Sequence, residues 1–463
     1  MAVAFTVVDQ HVVVIGAGRS GVAAARLLRS RGARVTLADS AATIEGSDAL
    51  RADGIEVQAG PHPEGLLDSA HLIVISPGVP ASTPVVARAR DRGVPVIGEV
   101  ELASRWLRGR VVAVTGTKGK STTTTLTARM LREGGLAATA GGNLGVALSS
   151  LVDDSTPDAI HVVEVSSFQL ESIETFHPWI SVFVNLSPDH LDRHGSFDEY
   201  RTAKSAVFRN QTPADWMVIN ADDPLVLEAA RSARARRFDF ALETPIERGI
   251  TVDRTHVIEQ RAAARHPVMP LDAVRLPGRH LLADVLAATA VSLLAGVEPA
   301  AIERAVRAFD GLEHALERVA VVDDVMFVDD SKATNVVAAR RAIESFAGGV
   351  VPILGGRYKG GAFEDLRDVL QARAAGVVLI GEAADRIAAA LGEVVPLARA
   401  ASMEDAVRTA ASMAPRGGVV VLAPACSSFD MFADYAARGR SFKAAVAALA
   451  GERRGPRQAG KER

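Results

Sequence analysis

Short runs of β-branched and other apolar residues alternate along this chain with longer Ala-, Leu- and Arg-rich stretches whose apolar positions recur at helical spacing. Continuous apolar runs of this length read as buried strands and the 3.6-period stretches as helices, so the alternation predicts α/β layers. Three blocks separate on this pattern. In the first, residues 1–102, HVVVIGAG reads as a strand, SGVAAARLLRSRG as a helix ending on Gly32, and ARVTLADS and HLIVISPGVP as further strands. The second, 103–312, opens with VVAVTGTKGKSTTTT and includes the strands IHVVEVSS and ISVFVNLSPDH. The third, 313–463, contains VMFVDDSKATN, VVPILGGRYKGG, GVVLIGE and GGVVVLAPACSS, each an apolar strand ending in a polar loop. Ligands of open α/β sheets bind beyond the carboxyl ends of the strands, which makes those loops the place to look for chemistry.

Composition narrows the partners. Hydrophobic residues make up 48% and charged residues 23%, as in soluble globular proteins. A net charge of −3 gives no general electrostatic reason to expect nucleic acid or a membrane surface, so small-molecule substrates are expected. The single cysteine, Cys426, permits no intramolecular disulfide, and a reducing compartment is the simplest context. The start, MAVAFTVVDQ, lacks the basic and long apolar segments of a secretory signal, and a cytoplasmic protein is expected. The tail GERRGPRQAGKER is charged and Gly-rich and is expected to fray.

Two glycine turns follow strands. HVVVIGAGRSG carries G-x-G-x-x-G, and Asp39 follows its last glycine by eighteen residues, the usual fingerprint of a dinucleotide site. TGTKGKST, Thr115 to Thr122, lies between an apolar strand and a helix, the context a phosphate loop requires, although Val114 stands where the common form has its first glycine. Its backbone N–H groups at Gly116, Thr117, Lys118 and Gly119 would cradle phosphate oxygens, Lys120 would add a point charge, and the Ser121 or Thr122 hydroxyl would ligate magnesium. ATP is the expected ligand there.

Further along, Glu164 ends an otherwise apolar strand, where a carboxylate is costly to desolvate unless it is paired or holds a metal. In SPDHLDRHGSFDEYRTAKSAVF, Ser196 and Glu199 form a capping box that predicts a helix from Phe197. Lys204 then falls on the apolar stripe of that helix, four residues from both Tyr200 and Phe208. Such a lysine either snorkels to water or, if it stays inside, is held neutral and nucleophilic. His190 by itself reads as a satisfied structural histidine more often than as a ligand.

These segments, with GEVEL, GGNLG, EVSSFQLE, NADDP, DDSKATN, LGGRYKGGAF, APACSSFDMF and RGRSFK in this order, resemble the Mur ligase family over nearly the whole chain. EVSSFQLE and DDSKATN are similar to the member that adds D-glutamate. The resemblance implies a three-domain α/β fold, with a Rossmann-like N-terminal domain, a central P-loop ATPase-type parallel-sheet domain and a C-terminal Rossmann-like domain. It implies an ATP-dependent, ADP-forming acid–amino-acid ligase that joins D-glutamate to UDP-N-acetylmuramoyl-L-alanine, a step of peptidoglycan synthesis, acting as a monomer with no NAD. Under this reading the first glycine turn holds UDP, a diphosphate like that of NAD. An NAD-dependent oxidoreductase would need a hydride-transfer constellation in the later blocks, and none is found; a P-loop switch or motor is opposed by the two further α/β blocks.

The resemblance also implies roles. Gly18, Arg19, Ser20, Asp39, Ser76, Asn143 and Ser166 would meet the UDP-sugar. Asp330 and Lys332 would join the phosphate loop at the nucleotide. Thr334, Lys359, Ser428, Phe429 and Tyr435 would surround glutamate, although Ser428 and Phe429 otherwise read as ordinary loop residues. Ser121 and Glu164 would hold one magnesium ion, and Glu164, His190 and Lys204 a second, with Lys204 as its N-carbamate. Three departures fall near the nucleotide: Ala315 replaces the arginine of the family's G-L-P-H-R segment, with Arg318 three residues out of register; Leu281 and Asp284 replace two asparagines; and Lys118 replaces an asparagine of the phosphate loop. The ATP site is expected to be recognisable but altered around base and ribose.

Overall fold

The computed structural model describes residues 5–80, 82–143 and 145–454. They divide into two compact units, Met1–Val274 with Ala283–Ala308, and Arg275–Leu282 with Phe309–Arg463.

The first unit contains two sheets. One has five parallel strands in the spatial order Glu56–Ala59, Arg34–Asp39, His11–Ile15, Leu72–Ile75, Val96–Gly98, the doubly-wound order whose crevice lies where the winding reverses beside the central strand. Every residue of HVVVI is buried, as expected of a strand covered on both faces. The helix Arg19–Ser30 follows it and buries Gly21, Ala24, Ala25, Leu27 and Leu28 as one stripe.

The other sheet has nine strands, ordered Ala264–Pro270, His256–Arg261, Arg248–Val252, Arg236–Phe240, Trp216–Asn220, Ile180–Phe183, Arg110–Thr115, Ile160–Glu164, Ala138–Gly142. Seven run parallel, and two antiparallel pairings end the sheet at the Ala264–Pro270 edge. The strand Arg110–Thr115, flanked by Ile180–Phe183 and Ile160–Glu164, leads through the phosphate loop into the helix Lys120–Glu133, and Val114 is registered opposite Glu164. That register sets the carboxylate beside the loop.

The second unit holds a six-stranded sheet ordered Glu317–Val322, Val325–Asp329, Val419–Leu422, Val350–Gly355, Val377–Ile380, Leu397–Arg399, parallel except for its first strand. Adjacent parallel strands Val325–Asp329, Val419–Leu422 and Val350–Gly355 bring DDSKATN, APACSS and GGRYKGG to one end. Fraying of the tail from Gly451 is not what the structure shows over its first residues: the helix Tyr435–Arg454 carries them, and 455–463 lie outside the described residues. None of the helices among the described residues is long and apolar enough to cross a membrane.

Candidate functional site

The phosphate loop is fixed from below by a side chain that the sequence did not single out. Asn185 accepts from the Lys118 N–H at 2.9 Å and donates to the Lys118 carbonyl at 3.0 Å, so one side-chain amide holds both backbone groups of that residue. Thr117 Oγ1 donates to the Ser187 carbonyl, accepts from the Ser187 N–H and contacts the Tyr200 hydroxyl at 3.1 Å. Gly119 stands at the start of the helix Lys120–Glu133 with φ of +81°, a left-handed conformation that suits glycine. Lys120 Nζ curls back to the carbonyls of Gly116 and Thr117, each at 3.0 Å. Lys118 points outward to Asp189 at 3.5 Å, a half-exposed pair of small energetic weight.

Glu164 is the junction. It is 3% exposed, accepts from Ser121 Oγ at 2.7 Å on one oxygen and from Asn143 Nδ2 at 2.8 Å on the other, and both of these partners are neutral. A buried carboxylate with neutral donors and an adjacent hydroxyl is the donor chemistry of a hard divalent cation. The loop serine and a residue of the segment after Ala138–Gly142 thus meet on one side chain.

Lys204 lies inside, as one of its two sequence readings had it. The helix Phe197–Ser205 starts where expected, with Ser196 Oγ accepting from the Glu199 N–H at 3.2 Å. Lys204 is 2% exposed and donates to the Gly116 carbonyl at 2.6 Å, the same oxygen that Lys120 uses. Burial, and then the Lys120 ammonium, push the Lys204 amine well below its ordinary pKa, against the pull of Asp189 and Glu164. Burial likewise holds the Tyr200 hydroxyl up to about 12. His190 is placed differently: it is exposed, has φ of +53°, begins the turn Leu191–His194 and meets the Phe168 ring edge-on at 5.1 Å.

The departure at Asp284 has a structural consequence. Its carboxyl is buried against Gly119, where an added Cβ would collide with it, and Oδ2 has no hydrogen-bond partner among the described residues. Burial pushes this carboxyl, set beside the phosphate loop, well above the usual carboxylate range.

Beyond the first sheet's carboxyl ends lies a cavity of about 580 Å³, within the usual size of a ligand pocket. Gly18, Arg19, Ser20, Asp39, Ser76 and Asn143 all line it; Ser166 does not, and instead caps the helix Ser167–Leu170 in a reciprocal box with Gln169. Asp39 accepts from the Ala17 and Ala41 N–H groups at 2.7 and 2.8 Å, which hold its carboxyl below the usual range and shape the glycine turn. Ser76 Oγ donates to the Gly16 carbonyl, and Arg19 reaches the Gly145 carbonyl at 2.8 Å. His62 and Thr83 also line the cavity; neither belongs to a sequence motif that would have marked it.

In the second unit the three loops are tied to one another. Arg357 and Ser427 exchange backbone hydrogen bonds, and Ala425 N–H donates to the Ala333 carbonyl. Arg438, 1% exposed, donates to Ser331 Oγ, the Ser331 carbonyl and the Cys426 carbonyl, and so pins DDSKATN to APACSS; burial pushes its guanidinium down to about 10. Asp330 accepts from the Leu316 N–H, and burial pushes its carboxyl up to about 7. Lys332 and Lys359 are exposed, Thr334 is half-buried, Ser428 is buried, and Phe429 and Tyr435 present rings to solvent at 63% and 42% exposure. Cys426 is buried, as expected of a small core residue, and burial pushes its thiol up to about 11. His314, Glu317 and Asp329 cluster beneath these loops, but His314 already pairs with Asp329 at 2.6 Å and Lys443 with Glu317 at 2.7 Å.

Three α/β sheets in sequence, with a phosphate loop on the second and a nucleotide-sized cavity on the first, match one family along the chain. The N-terminal domain of MurD-like Mur ligases matches residues 10–98, the Mur ligase middle domain 114–292, and the Mur ligase glutamate ligase domain 314–426. The chain belongs to the Mur ligase family. Among individual relatives, the UDP-N-acetylmuramoylalanine--D-glutamate ligase of Acidobacterium capsulatum is 46% identical over 453 residues, covering 96% of this chain and 97% of that one. The protein of the same name from Pelobacter propionicus is 43% identical, covering 95% and 99%. Among solved structures, the UDP-N-acetylmuramate-alanine ligase of Thermotoga maritima aligns with a TM-score of 0.59 at 19% identity over 95% of this chain and 99% of that one. A pseudomurein peptide ligase type C from Methanothermus fervidus gives 0.58 at 18%, over 95% and 100%. At those identities the structures speak for the fold alone.

Proposed function

We propose that this chain is the ATP-dependent ligase that adds D-glutamate to UDP-N-acetylmuramoyl-L-alanine in cytoplasmic peptidoglycan precursor synthesis. The observation that carries the reading is Glu164, shared between Ser121 of the phosphate loop and Asn143 on the wall of the cavity. We assign 1–102 to the UDP-sugar, 103–312 to ATP and 313–463 to glutamate.

The alanyl carboxylate attacks the γ-phosphate, giving an acyl phosphate and ADP; the glutamate amine then attacks the acyl carbon and expels phosphate. Each step brings anions together, so positioning and charge neutralisation supply most of the acceleration. Gly116, Thr117, Lys118, Gly119 and Thr122 offer backbone and hydroxyl donors around the phosphates, Lys120 adds a cation, and Asp330 and Lys332 are assigned to the nucleotide. Magnesium, when bound, would screen phosphate charge; Ser121 and Glu164 would hold one ion, and Glu164, His190 and Lys204, the last as a carbamate, a second. A neutral Lys204 amine attacks carbon dioxide, loses one N–H proton to water, and becomes an anionic oxygen donor. Thr334, Lys359, Ser428, Phe429 and Tyr435 bind glutamate, with Lys359 clamping a carboxylate.

The reading is tested by phosphate release from purified components, with D- and L-glutamate compared. Turnover with the D-enantiomer alone is expected; no turnover with either, or NADH binding in the micromolar range that UDP does not displace, overturns it.

Two variants examine the substrate ends. Gly18 has φ of −69° and open space around a would-be Cβ, so valine there suits the free protein. Gly18→Val is expected to weaken UDP binding at least ~10-fold by filling diphosphate space, with ATP binding and melting temperature unchanged. Titration of each nucleotide separately decides it. Lys359→Ala is expected to raise the KM for glutamate about 10-fold or more while the KM for ATP stays within twofold, as for loss of a charged clamp. Equal shifts in both constants would assign Lys359 to folding or hinge behaviour instead.

A further inference from the structure

The turn that bears His190 and the rim of the 580 Å³ cavity come from different sheets of the first unit, and one side chain joins them. We propose that Arg193 is a positioning residue for the UDP-linked substrate, latching the Pro77–Val79 rim of the cavity to the Leu191–His194 turn. The proposal rests on the reading of that cavity as the UDP site.

Arg193 donates from Nη1 to the Pro77 carbonyl at 3.1 Å and, more weakly, to the Gly78 carbonyl at 3.5 Å, and from Nη2 to the Val79 carbonyl at 3.1 Å. All three of these residues line the cavity. They follow the strand Leu72–Ile75, and Val79 is folded back by its own N–H donating to the Ser76 carbonyl at 2.9 Å. Pro77 has no N–H to give, so the carbonyls are the handles by which this segment is gripped. A planar guanidinium reaches several carbonyls at once, which a lysine ammonium on its flexible stem does less well.

The other end of the latch is fixed. The Arg193 guanidinium carbon sits 3.8 Å from the centroid of the Phe168 ring. That ring meets His190 edge-on at 5.1 Å and stacks on His194 at 5.2 Å with an interplanar angle of 17°. His194 is buried and held by Ser167 Oγ at 2.9 Å and Glu171 at 3.0 Å. Phe168 follows Glu164 by four residues, so the latch is anchored in the segment that carries the junction carboxylate. Arg193 thereby fixes the spacing between the diphosphate end of the cavity and the place where the alanyl carboxylate must lie, and a substrate spanning both depends on that spacing.

The full-length chain is titrated calorimetrically with UDP alone and with Mg-ATP alone, for wild type, Arg193→Lys and Arg193→Met. The expected result is a UDP Kd raised about 10-fold in Arg193→Met and less in Arg193→Lys, with Mg-ATP affinity within twofold for all three; charge-assisted hydrogen bonds of this kind carry roughly that much. Equal UDP affinity in all three proteins overturns the latch. Parallel loss of UDP and Mg-ATP binding in both variants also overturns it, by showing a general structural role. A wild type that binds Mg-ATP but no UDP refutes the cavity reading itself.

Discussion

Lys204→Ala is expected to reduce ligation about 10³-fold, the scale of losing a fixed electrostatic partner of the transition state in a desolvated site. Lys204 is 2% exposed, shares the Gly116 carbonyl with Lys120, and has its neutral amine favoured by burial and by that second lysine. Neutrality is the condition for reaction with carbon dioxide. Acetate or formate at millimolar concentration is expected to restore part of the activity to Lys204→Ala by placing a carboxylate where the carbamate would be, and Lys204→Arg is expected to remain inactive with or without acetate. Initial rates with and without the small acid decide it. Near-normal turnover of the alanine variant would end the metal-bridging role of this residue.

Glu164→Gln is expected to lower turnover about 10²- to 10³-fold and to raise the magnesium concentration needed for half-maximal rate. The same substitution is expected to leave the melting temperature unchanged or higher, because Glu164 is 3% exposed, its two hydrogen-bond partners are neutral, and an amide costs less to bury than a carboxylate. Opposite signs in activity and stability separate a cation ligand from a structural one. A rate insensitive to the change, at any magnesium concentration, would remove Glu164 from the metal site. A drop in both quantities would make it a folding residue.

The strands that carry chemistry were legible because they are buried on both faces and read as unbroken apolar runs: HVVVI, VVAVT, IHVVE and VVVL stand in the structure where the pattern put them. The strands Trp216–Asn220 and Arg236–Phe240, and the antiparallel strands of Arg248–Pro270, were not anticipated. RRFDF has exposed arginines at one end, and HVIEQR with ARHPVMP is half-solvated, so neither shows a continuous run. Site residues in glycine-rich loops announced themselves through spacing. Asn185 did not, because it acts from a neighbouring strand end some 67 residues along the chain from the peptide it holds. Arg193 and Arg438 likewise work through backbone carbonyls, which leave no mark on the sequence of the partner. Asp284 was visible as a departure; that its carboxyl is buried against Gly119, with its acidity weakened by that burial, needed the packing.

The turn after HVVVI has a consequence for how this chain tolerates change over generations. At Gly16, φ is +96° and an added Cβ would strike Val79 and Ser76, while at Gly21 it would strike the Gly16 carbonyl. Gly18 meets nothing. A population screened only for soluble, folded protein would therefore keep glycine at 16 and 21 and let position 18 drift, whereas one screened for cell-wall growth would hold all three. Deep mutational profiles under the two regimes should differ at that one letter of the motif, so that selection itself would tell the glycine required by the ligand from those required by the fold.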